Sequence, residues 1–188
     1  MISKEELISL AFKFHSEGNI LEAANCYQYF IDQGFSDPIV FSNYGILLKD
    51  LMKLEEAELI TRKAIKMKPD FANAHSNLGL ILRNLGKLEE AEISMRKAIE
   101  INPDFEMAYS NLGNLLRNVG KLEEAEILIR KAIKIRPDYQ DAYLNLANIL
   151  QDLGRFKEAE FIISKAIEIK ADFVEAYSNL GNILRELG

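Results

Sequence analysis

Apolar residues in this chain recur at helical rather than strand spacing. Across 106–139 one series runs Ala108, Leu112, Leu115, Leu116 and Val119, and a second runs Leu122, Ala125, Ile129, Ala132 and Ile133. Steps of three and four residues put each series on one face of an α-helix. Between them Gly120 suits the left-handed residue that ends a helix. Pro137 then breaks the second helix, because it lacks an N–H and clashes with the preceding turn. The pattern predicts a helix–turn–helix pair and no β structure. Asp138 is placed to cap the helix that follows, and Ser3 with Glu6 predicts a capping box on the first helix.

The same layout returns every 34 residues. Prolines stand at 69, 103 and 137, with Ala171 in the next slot, and glycines at 86, 120 and 154 keep the step, with Gly18 and Gly188 in phase. Residues 72–105 and 106–139 are identical at 23 of 34 positions. A fixed period of this length marks a solenoid of stacked units, since one helix pair cannot bury its apolar face alone. The expected organisation is a single domain over 1–188, with units 4–37, 38–71, 72–105, 106–139 and 140–173 and a half unit 174–188. That half unit either caps the stack or belongs to a longer array. Positions below are counted 1 to 34 within a unit. Position 8 holds Gly45, Gly79, Gly113, Ala147 and Gly181, which are expected to face small residues at positions 20 and 27.

The polar stripe of each first helix comprises positions 2, 5, 6, 9, 12 and 13. Asparagine fills position 6 in all units but the first, as Asn43, Asn77, Asn111, Asn145 and Asn179. Position 9 adds Asn114, Asn148 and Asn182, and position 12 includes Lys49, Arg83 and Arg117. An Asn amide carries both donors and an acceptor. It can therefore bond the backbone of an extended ligand, or bond within the solenoid to a neighbouring helix or water. The cations can meet acidic groups of a ligand or be balanced by Asp50, Asp152 and Glu186.

Composition narrows the function classes. The chain is 48% apolar and 28% charged with a net charge of −6. That suits a folded protein and argues against a general nucleic-acid binder. No apolar run is long enough for a membrane span, and the acidic start MISKEELISL does not resemble a signal peptide. The single cysteine, Cys26, rules out an internal disulfide framework and fits a reducing compartment, so the expected location is cytoplasmic. Only His15 and His75 are present, on different units, so no metal cluster or triad is expected. The pairs Glu55–Glu56, Glu89–Glu90 and Glu123–Glu124 open second helices, where a solvated, dipole-facing role is expected. The chain is expected to be non-catalytic, with no cofactor and no metal.

Tyr109, Leu112, Gly113, Ala125, Ala132 and Pro137, at positions 4, 7, 8, 20, 27 and 32, resemble the tetratricopeptide repeat. The first unit departs, with Phe30 at position 27 and Phe35 at position 32. The wording NLGN, LGKLEEAE and KAIEINPDF looks like that of bacterial proteins of this kind, cyanobacterial ones included, and is similar to the repeat arm of protein O-GlcNAc transferases. The resemblance implies an all-α, right-handed superhelical solenoid whose concave groove binds a protein or an extended peptide. It implies that the asparagine row, with Asn114, Asn148 and the position-12 cations, lines that groove. The carboxylate clamp of chaperone-tail binders is not expected, because position 5 is mostly Ser (Ser42, Ser76, Ser110, Ser178) and position 6 is never Arg. Three function classes stand open: a free-standing scaffold, the substrate-recognition arm of a larger enzyme such as a glycosyltransferase, and a module that self-assembles through its second helices or stack ends.

Overall fold

The computed structural model describes residues 2–188, and those residues form eleven α-helices and no strand. In chain order they are α1 (Lys4–Ser16), α2 (Ile20–Asp32), α3 (Pro38–Asp50), α4 (Leu54–Met67), α5 (Ala72–Asn84) and α6 (Leu88–Ile101). Then come α7 (Glu106–Asn118), α8 (Leu122–Ile135), α9 (Gln140–Asp152), α10 (Phe156–Ile169) and α11 (Val174–Leu187). The chain divides into two compact units, Met1–Ile101 with α1 to α6 and Asn102–Gly188 with α7 to α11. Within each, successive helices pack as antiparallel pairs, and the first helices of neighbouring pairs also touch: α3 with α5, α7 with α9, and α9 with α11. None of the helices is long and apolar enough to cross a membrane.

The helical periodicity becomes burial directly. In the second unit Ala108, Leu112, Leu116, Ala125, Ile129 and Ala132 are all fully buried. Removing one leucine side chain of this size from water contributes about 1.5–3 kcal/mol. Leu112→Ala would forfeit that and leave a cavity, at a cost of about 2–5 kcal/mol.

Helix ends follow the 34-residue period with one instructive exception. Gly120 ends α7 at φ +79°, and the N–H of Lys121 closes the turn on the Leu116 carbonyl at 2.9 Å. This is the Schellman arrangement, which favours a residue without a Cβ. In the repeat 38–71 the equivalent position is Met52, held at φ +61°. It is a left-handed residue with a long side chain.

Two expectations about local contacts need correction. Asp138 does not cap α9, nor do Asp70, Asp104 and Asp172 cap their helices: the cap residues are Tyr139, Phe71, Phe105 and Phe173, none with a side-chain cap bond. The turn after the proline is closed by backbone, as where the Phe71 N–H meets the Lys68 carbonyl at 3.2 Å, and the aromatic rings of Phe105 and Phe173 are buried. An apolar anchor thus replaces a polar cap. Asp37, which stands where the later repeats carry those aromatic residues, does cap its helix, its Oδ1 accepting from the N–H groups of Ile39 and Val40 at 2.9 and 3.1 Å. The Ser3–Glu6 capping box forms as expected.

The second correction concerns position 8. A Cβ built on Gly113 would lie 2.6 Å from Cδ1 of Ile129 and 3.3 Å from the Ala125 carbonyl. Gly79 faces Met95 and Gly45 faces Thr61 in the same way. The close approach is therefore to the backbone at position 20 and to the side chain at position 24, not to position 27. Position 24 lies one helical turn beyond position 20, on the same face.

Candidate ligand-binding face

Four of the first helices, α3, α5, α7 and α11, carry an asparagine one residue after a serine, and the serine of one repeat meets the asparagine of the next. In the first unit Asn77 Nδ2 donates to Ser42 Oγ at 2.9 Å and approaches the Ser42 carbonyl at 3.4 Å. In the second unit Asn145 Nδ2 donates to Ser110 Oγ at 3.0 Å. Ser42, Ser76 and Ser110 are buried, although the sequence places them in the polar stripe. A buried hydroxyl needs a partner, and for Ser42 and Ser110 the asparagine of the next repeat supplies it. The amide oxygens of Asn77 and Asn145 have no hydrogen-bond partner among the described residues.

The remaining candidates fall into three settings. Asn43, half-buried, faces the Tyr27 hydroxyl, whose pKa burial drives well above the usual phenol range while the Asn43 amide opposes that rise. Asn111 and Asn114 are half-buried on α7. Asn179 Oδ1 accepts from Gln151 Nε2 at 2.9 Å, and Asn179 Nδ2 donates to Asn148 Oδ1, so three amides link α9 to α11. Asn182 is exposed.

Two of the three candidate cations are occupied. Lys49 Nζ lies 2.8 Å from Asp50 Oδ1. Arg117 grips Asp152 with two nitrogens, at 2.5 and 3.3 Å. Arg83 has no ion pair among the described residues.

Position 9 separates the two units. The second unit presents Asn114, Asn148 and Asn182 there, whereas the first presents Phe12, Ile46 and Leu80, all half-buried. The apolar row was legible at the same spacing as the asparagines but was not singled out.

The second helices carry a different chemistry. Glu58 accepts from Arg62 at 2.9 Å and from Lys87 at 2.7 Å, and Arg62 also reaches Glu90 at 2.7 Å. The pattern repeats in the second unit, where Glu126 accepts from Arg130 and Arg155 and Arg155 also holds Glu158. Burial pushes the carboxyls of Glu58 and Glu126 up, but the paired cations outweigh it and hold both below the ordinary value. In the pair Glu89–Glu90 the second glutamate therefore pairs across repeats as well as facing the helix dipole. Among the described residues no group of three or more His, Cys, Asp or Glu side chains is arranged to hold a metal ion. Cys26 is free and half-buried, and burial raises its thiol pKa.

Comparison with known proteins agrees with this architecture. Residues 116–183, 72–105 and 95–127 each match tetratricopeptide-repeat families. No curated protein matches the chain by sequence. Among solved structures, a thermophilic TPR protein from Thermus thermophilus is 17% identical, covers 97% of this chain and 100% of its own, and superposes with a TM-score of 0.84. MamA is 21% identical over 86% of this chain and 95% of its own, with a TM-score of 0.70. YrrB, described as a TPR protein with an unusual peptide-binding site, is 22% identical over 94% and 91%, with a TM-score of 0.67. Residues 72–183 carry tetratricopeptide repeats, and the all-α fold of the chain is of that solenoid class.

Proposed function

We propose that the chain is a non-catalytic protein-interaction scaffold that binds extended peptide along the face its first helices build within each unit. The observation that carries this reading is the state of Asn77 and Asn145. Each amide is fixed by donating to a buried serine, and each keeps its oxygen unbonded. A fixed acceptor of this kind suits the backbone N–H of an extended ligand whatever its sequence. Because the amide is already ordered, binding loses little side-chain entropy. Asn43, Asn111, Asn114, Asn148 and Asn179 extend the amide surface within their units, and Arg83 adds an unpaired cation for an acidic neighbour. YrrB, the fold relative with a peptide-binding site, makes a peptide ligand the natural class to test.

The test uses a peptide selected from a random display library on the wild-type chain. Asn77→Ala, Asn111→Ala and Asn145→Ala together should weaken that peptide at least about tenfold, or about 1.4 kcal/mol. Unchanged affinity in a folded triple variant removes the asparagines from the contact surface.

A second reading, self-association, is favoured by position 22 of the second helices. Leu59 and Ile93 in the first unit and Ile127 and Phe161 in the second are 57%, 69%, 68% and 64% exposed. Recurrent large apolar residues in water favour a covering partner. A molecular mass that rises with concentration, and falls back when Ile93 and Ile127 become Lys, would establish it.

A further inference from the structure

Within the first unit a cleft of about 320 Å³ opens between α1, α2 and α3, lined by Phe12, His15, Ser16, Tyr27 and Asn43. Its size is near the lower end for ligand pockets and suits one side chain rather than a cofactor. Its walls are aromatic. Phe12 packs on Tyr27 with ring centroids 6.3 Å apart, His15 meets Tyr27 edge-on at 6.0 Å, and Tyr44 lies behind at 5.4 Å. The row Phe12, Ile46 and Leu80 continues this apolar character on the same face of the unit.

The polar atoms of the cleft have fixed directions. His15 Nδ1 lies 3.1 Å from the Tyr27 hydroxyl. Burial holds the tyrosine protonated and keeps His15 below its ordinary pKa, although the Asp50 carboxylate acts to raise it. Tyr27 is fully buried and its hydroxyl has no other hydrogen-bond partner among the described residues, so its O–H donates to His15 Nδ1. A neutral imidazole that accepts at Nδ1 carries its proton on Nε2. That Nε2–H has no partner among the described residues. Asp50 nearby disfavours an anionic occupant, and Lys49, the adjacent cation, is already held by Asp50 at 2.8 Å.

We infer that this cleft is a specificity pocket for an uncharged aromatic side chain of the bound peptide, with His15 Nε2–H donating to a carbonyl beside it. Aromatic walls reward an aromatic guest through edge-to-face contacts, and one fixed donor in a neutral setting selects a carbonyl over a carboxylate. The inference rests on the peptide-groove reading and adds the chemistry of one ligand residue to it.

The test is NMR of the full chain titrated with N-acetyl-L-phenylalanine amide, with the corresponding alanine and aspartic acid amides as comparison probes. Saturable shifts are expected at Phe12, Ser16, Asn43 and the His15 ring, with the alanine probe at least about tenfold weaker. The ring nitrogens of His15 should report the Nε2–H form at pH 7. Ser16→Trp, at an exposed position on the rim, should fill the cleft and abolish the shifts. Equal binding of the alanine or aspartate probe, an Nδ1–H tautomer, or shifts that survive Ser16→Trp would overturn the pocket. The display-selected peptide separates the two proposals. If its affinity falls with the triple asparagine variant but not with Ser16→Trp, the groove stands and the pocket falls. The opposite result keeps the pocket and removes the asparagine row.

Discussion

Asn77 of α5 donates to the buried hydroxyl of Ser42 on α3 at 2.9 Å, joining two repeats through side chains 35 residues apart. Asn145 and Ser110 repeat the bond in the second unit at 3.0 Å. The asparagine that looks costly inside a helix is thus the partner of a serine that would otherwise be buried without one.

Asn77→Ala should destabilise the first unit by about 1–2 kcal/mol, because the Ser42 hydroxyl loses its donor. In a Ser42→Ala background the same change should cost far less, since neither group is then left stranded. A double-mutant cycle by urea denaturation measures the coupling, expected to be about 1 kcal/mol. Additive single effects would show that the bond contributes nothing to stability.

Met52→Gly should stabilise the chain. Met52 sits at φ +61° where the repeats at Gly18, Gly86, Gly120 and Gly154 carry glycine, and its side chain is mostly exposed, so little packing is lost. The left-handed conformation costs a residue with a Cβ about 1–2 kcal/mol, offset in part by the greater freedom of glycine in the unfolded chain. A net gain of about 0.5–1 kcal/mol is expected, read as a rise in Tm of a few degrees.

Thr61→Val should also raise Tm. Thr61 is fully buried on α4, and its Oγ1 has no hydrogen-bond partner. Valine keeps the shape and removes the unsatisfied hydroxyl, a gain of about 1 kcal/mol. Gly45→Ala is the contrasting change, because its Cβ would lie 2.0 Å from that same oxygen. It should destabilise the chain, measured by thermal unfolding against Thr61→Val.

Acid should weaken the fold through the second-helix ion pairs. Burial opposes ionisation of Glu58 and Glu126, but Lys87 and Arg62, and Arg130 and Arg155, more than offset it and lower both values below 4.5. A carboxyl depressed in the folded state binds more protons when unfolded. Its stabilisation is present above the unfolded value and is lost as pH falls through the folded one. Tm should therefore decline below about pH 4.5, and Glu58→Gln with Glu126→Gln should flatten that decline. An unchanged slope in the double variant would assign acid sensitivity elsewhere.

Local and periodic features were legible because they depend on neighbours a few residues away. The apolar steps around Leu112, the stop at Gly120 and the break at Pro137 each follow from backbone geometry alone, and repetition every 34 residues set their phase. Asp138, with Asp70, Asp104 and Asp172 at the same repeat position, does not cap, because a carboxylate near a helix start competes with an aromatic residue that can be buried there. Nothing local decides that competition; the packing beneath Phe105 and Phe173 does.

The amino-acid sequence by itself determined that this chain forms stacked helix pairs and which apolar faces pack together, since helical period and turn chemistry act over one repeat. Tertiary structure decided what the polar residues bond to. An asparagine amide, a serine hydroxyl or an arginine can be satisfied by any group within about 3 Å, and for several of these residues that group lies in another helix. Packing of helix on helix therefore gave Asn77 to Ser42, Glu90 to Arg62 and His15 to Tyr27. It also left the oxygens of Asn77 and Asn145 and the Nε2 of His15 without a partner among the described residues, the atoms a ligand would have to meet.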